Sequence, residues 1–195
     1  MSGPAPETLE LHSAVLRALD EHGAEALAPT HLAGVSGAPA TREDLLDLVV
    51  EAVVCDGASV SADGGPWQRH LVALAAGYRR SLSLHPNAVP VMSSRPIRTR
   101  PGLEAVEGFL AALTAGGITA PEALAALNTV MTWTLGHVRT ELSAPHQQPP
   151  DPAALAELPH LADAVDRTTW GLPDGEFQFG VEALLRGLDQ MFSDA

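Results

Sequence analysis

The sequence predicts an all-α fold, and three observations carry that prediction. Aromatic residues are only 4% of the 195 positions, so aliphatic side chains must fill the core. Alanine and leucine are abundant and recur at helical spacing, as in Leu11, Val15, Leu16 and Leu19. Strand signals are scarce, and glycine and proline stand mostly between the periodic stretches. A chain of this length fits one or two domains and can bury a real core. Its net charge of −13, with only 11 basic residues, argues against broad affinity for nucleic acid. The single cysteine, Cys55, excludes an internal disulfide and suits a reducing compartment. No apolar run reaches the roughly 18 residues of a membrane helix. Met1 to Glu7 has neither the basic nor the apolar region of a signal peptide. These features lead us to expect a soluble, cytoplasmic protein with no membrane partner.

Residues 1–8 form a polar, Pro-rich lead. A helix follows from Leu9 to His22, and Gly23 ends it. Leu27 to Ala33 is a short helix at best, because Pro29 suits only a first turn. Residues 34–40 hold two glycines and a proline and read as loop. Thr41 and Asp44 resemble a capping box, with Asp in place of Glu, and open a helix to about Cys55. Residues 56–66 are a Gly/Ser/Asp linker. The next helix, 66–85, carries Trp67, Leu71, Leu74, Ala75, Tyr78 and Leu82 on one side. His85-Pro86 stops it. A shorter helix covers 87–94, and residues 95–102 are extended. Helices follow at 103–115, ended by Gly116-Gly117, at 121–142, at 152–166 and at 176–192. A Pro- and Gln-rich loop fills 143–152. No internal repeat is visible.

Two of these helices are read as a packing surface for a second copy of the chain. One holds Trp133-Thr134-Leu135-Gly136, the other runs from Phe177 to Leu188. Gly136, Gly180 and Gly187 each cost about 1 kcal/mol in helix propensity, a cost tolerated where close packing returns more. A homodimer through 121–142 and 176–192, about a two-fold axis, is therefore expected.

The motifs Trp67, His85-Pro86, Arg95-Pro96, Gly116-Gly117-Ile118, Thr134-Leu135-Gly136, Leu158-Pro159 and Phe177–Leu188 stand in an order that resembles the tetracycline-repressor (TetR) family. The resemblance is in particular to the branch whose C-terminal domain is like that of the tetracycline repressor itself. Val15-Leu16 through Leu27 resembles helix 1 and the start of helix 2 of the family's DNA-binding head, and Leu45-Leu46-Asp47 resembles the start of helix 4. The resemblance implies a TetR-like helical bundle: a degenerate three-helix head over 1–55 and a ligand-binding and dimerisation domain over 56–195.

The departure lies in the head. Family members carry a helix-turn-helix whose second helix enters the major groove. Here Leu32-Ala33 runs directly into Gly34 through Arg42, a segment roughly eight residues short, about the length of a recognition helix. The family's Leu-Tyr-x-His is absent. Gly37 and Pro39 interrupt what remains. Between Met1 and Thr41 the only Lys or Arg is Arg17, while a DNA reader needs phosphate contacts to set its register. No DNA-binding residue is assigned.

The resemblance places a small-molecule pocket between helices 66–85, 103–115 and 121–142, with Arg95-Pro96 closing one side. It implies a lining of Leu74, Tyr78, Met92, Arg95, Pro96, Val106, Phe109, Asn128, Thr132, Trp133 and His137. The repressor's magnesium-ligating His corresponds to Val91 here, and its carboxylate to Thr140 or Glu141. No metal or other cofactor is therefore expected, and the ligand is a largely apolar or polycyclic compound. Plainer readings stand beside these. Tyr78 is equally a core residue, Arg95 a partner for a carboxylate, and His85 helix-end punctuation. His137 and Glu141 are four apart and suit either a general base or a surface ion pair. Tyr78, Thr132, His137 and Glu141 are the candidate catalytic residues if there is catalysis. Trp170 and Phe177 flank a connection that reads as a gate or as packing. Lone Cys55 reads as buried. No phosphate loop, nucleophile elbow or Cys/His metal spacing is present.

Three functions remain open on the sequence. The first is a ligand-binding homodimer that has lost specific DNA binding. The second is an enzyme of cyclase or isomerase type that uses the closed pocket for orientation. The third is a repressor with an atypical head.

Overall fold

The computed structural model describes residues 5–58, 65–143, 151–167 and 174–193, and all regular structure among them is helical. Helix α1 spans Pro6–Ala26, with Gly23 inside it at φ 76 and ψ 162. That conformation is open to glycine and marks the point where the sequence ends the helix. Leu27 and Leu32, both 1% exposed, bracket a single 3-10 turn at Pro29–Leu32. Between Leu32 and Arg42 the chain makes turns and no helix.

Helix α2 spans Arg42–Ala58. The Thr41 hydroxyl accepts from the Asp44 N–H at 3.1 Å and donates to the Asp44 carboxylate at 2.6 Å. The shorter Asp meets the hydroxyl, where Glu in a full box would reach the cap's backbone N–H. Leu45, Leu46, Leu48, Val49, Val50, Ala52, Val53 and Val54 are all buried. A helix apolar on every side belongs at the centre, and α2 packs on α1, α3, α4 and α5.

Helix α3 is Trp67–Leu84, α4 is Ala88–Ser94 and α5 is Arg100–Ala115. The expected extended stretch 95–102 is shorter than read. Thr99 caps α5 by accepting from the Gly102 N–H, and Pro101 sits in the first turn, where its missing N–H costs nothing. Helix α6 is Ala120–Ser143. Its start is fixed by Thr119, whose backbone N–H and hydroxyl both donate to Glu122, at 2.9 and 2.6 Å.

The helix expected over 152–166 is two: α7, Pro152–Ala156, and α8, Pro159–Arg167. Proline at 159 has no N–H and crowds the carbonyl four residues back. The Leu158 N–H instead bonds the Leu155 carbonyl in a tight turn. Helix α9, Asp174–Ser193, ends the described chain.

Internal contacts divide the chain into Met1–Leu135 and Gly136–Ala195, a boundary inside α6. The first unit holds α1 to α5 and most of α6. In the second, Phe177, Val181, Leu185 and Leu188 are buried along one face of α9. Phe179 and Met191 are 75% and 67% exposed, and Gly187 faces open space. Trp170, the connection after it and most of the 143–152 loop lie outside the described residues.

Candidate functional site

The apolar face of α3 that the sequence marks out is buried along its length: Trp67, Leu71, Leu74, Ala75, Tyr78 and Leu82. Tyr78 is 2% exposed, and burial pushes its phenol well above the ordinary range, so it stays neutral. The last turns of α2 lie against it. A Cβ at Gly57 would stand 3.4 Å from the Tyr78 backbone, so the helices touch there nearly main chain to main chain.

Beside this contact is a cavity lined by Val54, Gly57, Leu74, Tyr78, Ala105, Val106, Phe109, Leu127 and Met131. Helices α2, α3, α5 and α6 all contribute. It contains about 290 Å³ of empty space, part of it open to solvent, and its enclosed part has room for a single water. No charged side chain lines it. Such a lining holds an uncharged apolar body by burial. A drug-sized ligand needs roughly 300–1,000 Å³, so these helices must separate to admit one.

One turn along α2 from Val54 lies a buried polar cluster. Glu51 and His12 are each 6% exposed, and the His12 Nε2 stands 2.7 Å from the Glu51 carboxylate. The Thr99 hydroxyl also favours the charged form of Glu51. Burial pushes the Glu51 carboxyl up, but the His12 bond, the Thr99 hydroxyl and the His12 charge outweigh it and hold it below the usual value. A Cβ on Gly102 would meet Ile97 Cγ2 at 2.8 Å and the Thr99 Oγ1 at 3.1 Å, with the Glu51 Cα 3.9 Å away. The start of α5 is thus pressed onto α2 at Glu51. The Cys55 thiol, pushed up to about 11 by burial and the Glu51 charge, is no nucleophile at neutral pH.

Four of the sequence-derived lining residues come together in the cavity: Leu74, Tyr78, Val106 and Phe109. Arg95 is committed elsewhere. Its Nε and Nη2 donate to Asp47 at 3.0 and 2.7 Å, and its Nη1 to Glu43 at 2.8 Å. Arg98 adds a bond to Asp47 at 3.0 Å. Burial raises the Asp47 carboxyl, the two arginines lower it, and the arginines prevail. This is the carboxylate partnership that competed with the pocket reading of Arg95. Pro96 is exposed and Met92 half-buried, and neither lines the cavity. Asn128 and Thr132 are exposed on α6, Trp133 is half-buried, and none of the three lines the cavity. His137 and Glu141 belong to the second unit, where the His137 ring lies 5.2 Å from that of Phe177. His85 bonds Asp20 at 2.7 Å beyond the end of α3, tying α3 to α1. Among the described residues no group of three His, Cys, Asp or Glu is placed to hold a metal ion.

Sequence reasoning missed Val54, Gly57, Ala105, Leu127 and Met131. The signal for Leu127 and Met131 was their four-residue spacing on the long helix, passed over in favour of the polar Asn128 and Thr132 one position on. Gly57 was hidden by ending the α2 helix near Cys55, and Val54, inside that helix, was not considered because the pocket was sought between the later helices.

Comparison with known proteins places this geometry. Residues 61–192 match the family described as "Tetracyclin repressor-like, C-terminal domain". An "HTH-type transcriptional regulator" of Saccharopolyspora erythraea is 32% identical over 143 residues, which are 69% of this chain and 61% of that protein. The chain thus spans less than two thirds of that relative's length. A possible TetR family transcriptional regulator from Streptomyces coelicolor A3(2) superposes with a TM-score of 0.67 at 25% identity, over 94% of this chain and 99% of that one. The Streptomyces coelicolor protein ActR, in complex with actinorhodin, gives a TM-score of 0.64 at 19% identity, over 95% and 97% of the two chains.

Proposed function

This chain belongs to the tetracycline-repressor family through its C-terminal domain, and from that premise we propose that it is a homodimeric small-molecule sensor whose head, residues 1–55, has lost sequence-specific DNA reading. The ligand is uncharged and largely apolar. The observation that carries the proposal is the cavity itself: nine lining residues, none charged, with the last turns of α2 forming one wall. A chain of the same fold, ActR, holds actinorhodin, which supports the fold's capacity for a small-molecule guest. Occupancy would be felt by α2, and α2 runs unbroken from the cavity to the head.

The head supports the second half of the proposal. Two features oppose duplex binding: the turns between Leu32 and Arg42, where a recognition helix would stand, and the scarcity of cations. Arg42 donates to the Ala24 carbonyl at 2.8 Å, so even this residue is engaged within the head. The relative's description as a transcriptional regulator makes DNA binding the competing outcome. Fluorescence anisotropy with the DNA upstream of the protein's own gene, at low and moderate salt, separates the two. We expect no specific complex. A specific complex that weakens steeply with salt would overturn the reading of the head. For the cavity, the uncharged probe N-phenyl-1-naphthylamine should raise the melting temperature in a saturable way, and an absent rise would sink the sensor reading.

A further inference from the structure

Two buried hydroxyls stand on the cavity's helices without a use in the fold. Ser81 on α3 and Thr134 on α6 are each 0% exposed, and neither hydroxyl has a hydrogen-bond partner among the described residues. A helical Ser or Thr can settle this need on its own backbone, by donating to the carbonyl four residues back. Ser93, Thr129, Thr140 and Ser143 do so, at 2.7 to 3.0 Å. Ser81 and Thr134 decline that bond although both are sealed from solvent.

Their places on the helices relate them to the cavity. Leu74, Tyr78 and Ser81 stand seven, eleven and fourteen residues after Trp67, the first residue of α3. Leu127, Met131 and Thr134 stand at the same steps after Ala120, the first residue of α6. The first two of each set line the cavity. Steps of four and three residues keep to one face of a helix, so each hydroxyl continues a lining stripe one turn further on. The two helices also leave from one corner. A Cβ on Gly116 would meet the Trp67 Cβ at 3.0 Å, and Gly116 stands four residues before Ala120. Each hydroxyl is therefore about 21 Å of helix from the start of its element, and helical side chains lean back toward the N-terminus, here toward the lining. Resting on the reading of this cavity as a ligand site, we infer that its ligand is an apolar body carrying a carbonyl oxygen, which accepts from Ser81 and Thr134.

The physical argument follows the ligand inward. The enclosed space takes a single water, so a drug-sized guest must part the helices and extend along the two stripes. The next side chains on those stripes are Ser81 and Thr134. A buried hydroxyl without a partner carries a desolvation cost. A ligand oxygen that pairs with it removes the cost, and a plain hydrocarbon leaves it in place. One carbonyl oxygen has two lone pairs and can take both donors. The uncharged lining strengthens such bonds and penalises a charged ligand.

The test uses fluorenone and fluorene, which share one ring frame and differ by a carbonyl oxygen. Each displaces N-phenyl-1-naphthylamine from the full chain in a fluorescence titration. Burial alone ranks fluorene first, as the more apolar of the two. We expect the wild type to prefer fluorenone about tenfold. Within each variant, fluorene affinity is the reference. Ser81→Ala and Thr134→Val should each cut the preference several-fold, and the double variant should prefer fluorene. The single variants carry the test if the double does not fold. A wild type that binds fluorene as well or better, that does not exchange the dye for fluorenone, or whose preference survives in both single variants overturns the inference. The cavity reading then stands, because the dye still binds. No saturable dye binding to the wild type overturns both.

Discussion

Arg95 carries five N–H donors, and four of its bonds reach α2, two on Asp47 and two on Glu43. Asp47 and Arg95 are 14% and 15% exposed in their side chains, so removing one partner strands a partly buried charge. Arg95→Met should lower unfolding stability by about 1–3 kcal/mol in urea denaturation. Asp47 also sets an acid limb. Its folded carboxyl titrates below the ordinary 3.8, so its contribution is complete above that pH and drains away as pH falls further. Asp47→Asn should flatten stability against pH below about 4 and leave the neutral side of the profile parallel to the wild type. An unchanged acid limb would contradict the assignment. Thr134 is the opposite case: it is fully buried and its hydroxyl has no hydrogen-bond partner among the described residues. Thr134→Val removes an unsatisfied group and keeps the shape. We expect stability to be unchanged or to rise by up to about 1 kcal/mol, against the usual sign for a core substitution.

Among the helices, α5 is the one whose start is over-determined. Thr99 caps it, and Gly102 lets it lie on α2. Gly102→Ala would push its methyl into Ile97 and the Thr99 hydroxyl, displacing the cap. The expected loss is about 1 kcal/mol by thermal denaturation, although alanine is the better helix former. Much of this architecture was legible in the sequence, for reasons that can be named. Gly23, His85-Pro86 and Gly116-Gly117 are strong local stops, and the structure ends or breaks helices at each. Leu74, Tyr78, Val106 and Phe109, which the family resemblance implied for the lining, do share the cavity. What was not legible needed neighbours. Pro101 and Gly102 read as extended chain until Thr99 is seen capping them. Arg95 pairs with residues 48 and 52 positions away, a separation no local pattern reports. Val54 and Gly57 were recoverable: Leu45 to Val54 is apolar on every side, which marks a central helix, and a central helix must border any cavity in its unit.

Charge sets the behaviour of the whole molecule. Residues 1–58 hold ten carboxylates against two arginines, a net of −8, so most of the chain's −13 sits on the part that in the family faces DNA. Two copies brought together in the proposed dimer repel one another over a distance comparable with the Debye length, about 10 Å at 0.1 M salt. The attraction must come from apolar surface. Phe179 and Met191 on α9, 75% and 67% exposed in the single chain, supply it, and Gly187 faces open space where a second helix can approach. Salt screens the repulsion and spares the apolar term, so the dimer should tighten as ionic strength rises, the reverse of a complex held by DNA phosphates. Sedimentation equilibrium at low and moderate salt reads this directly. Phe179→Asp, Gly180→Glu and Leu184→Asp should each shift the population to monomer or aggregate, because each sets a new carboxylate on the contact helix. Dimers that loosen with salt, or that persist in all three variants, would mean that these helices do not form the interface.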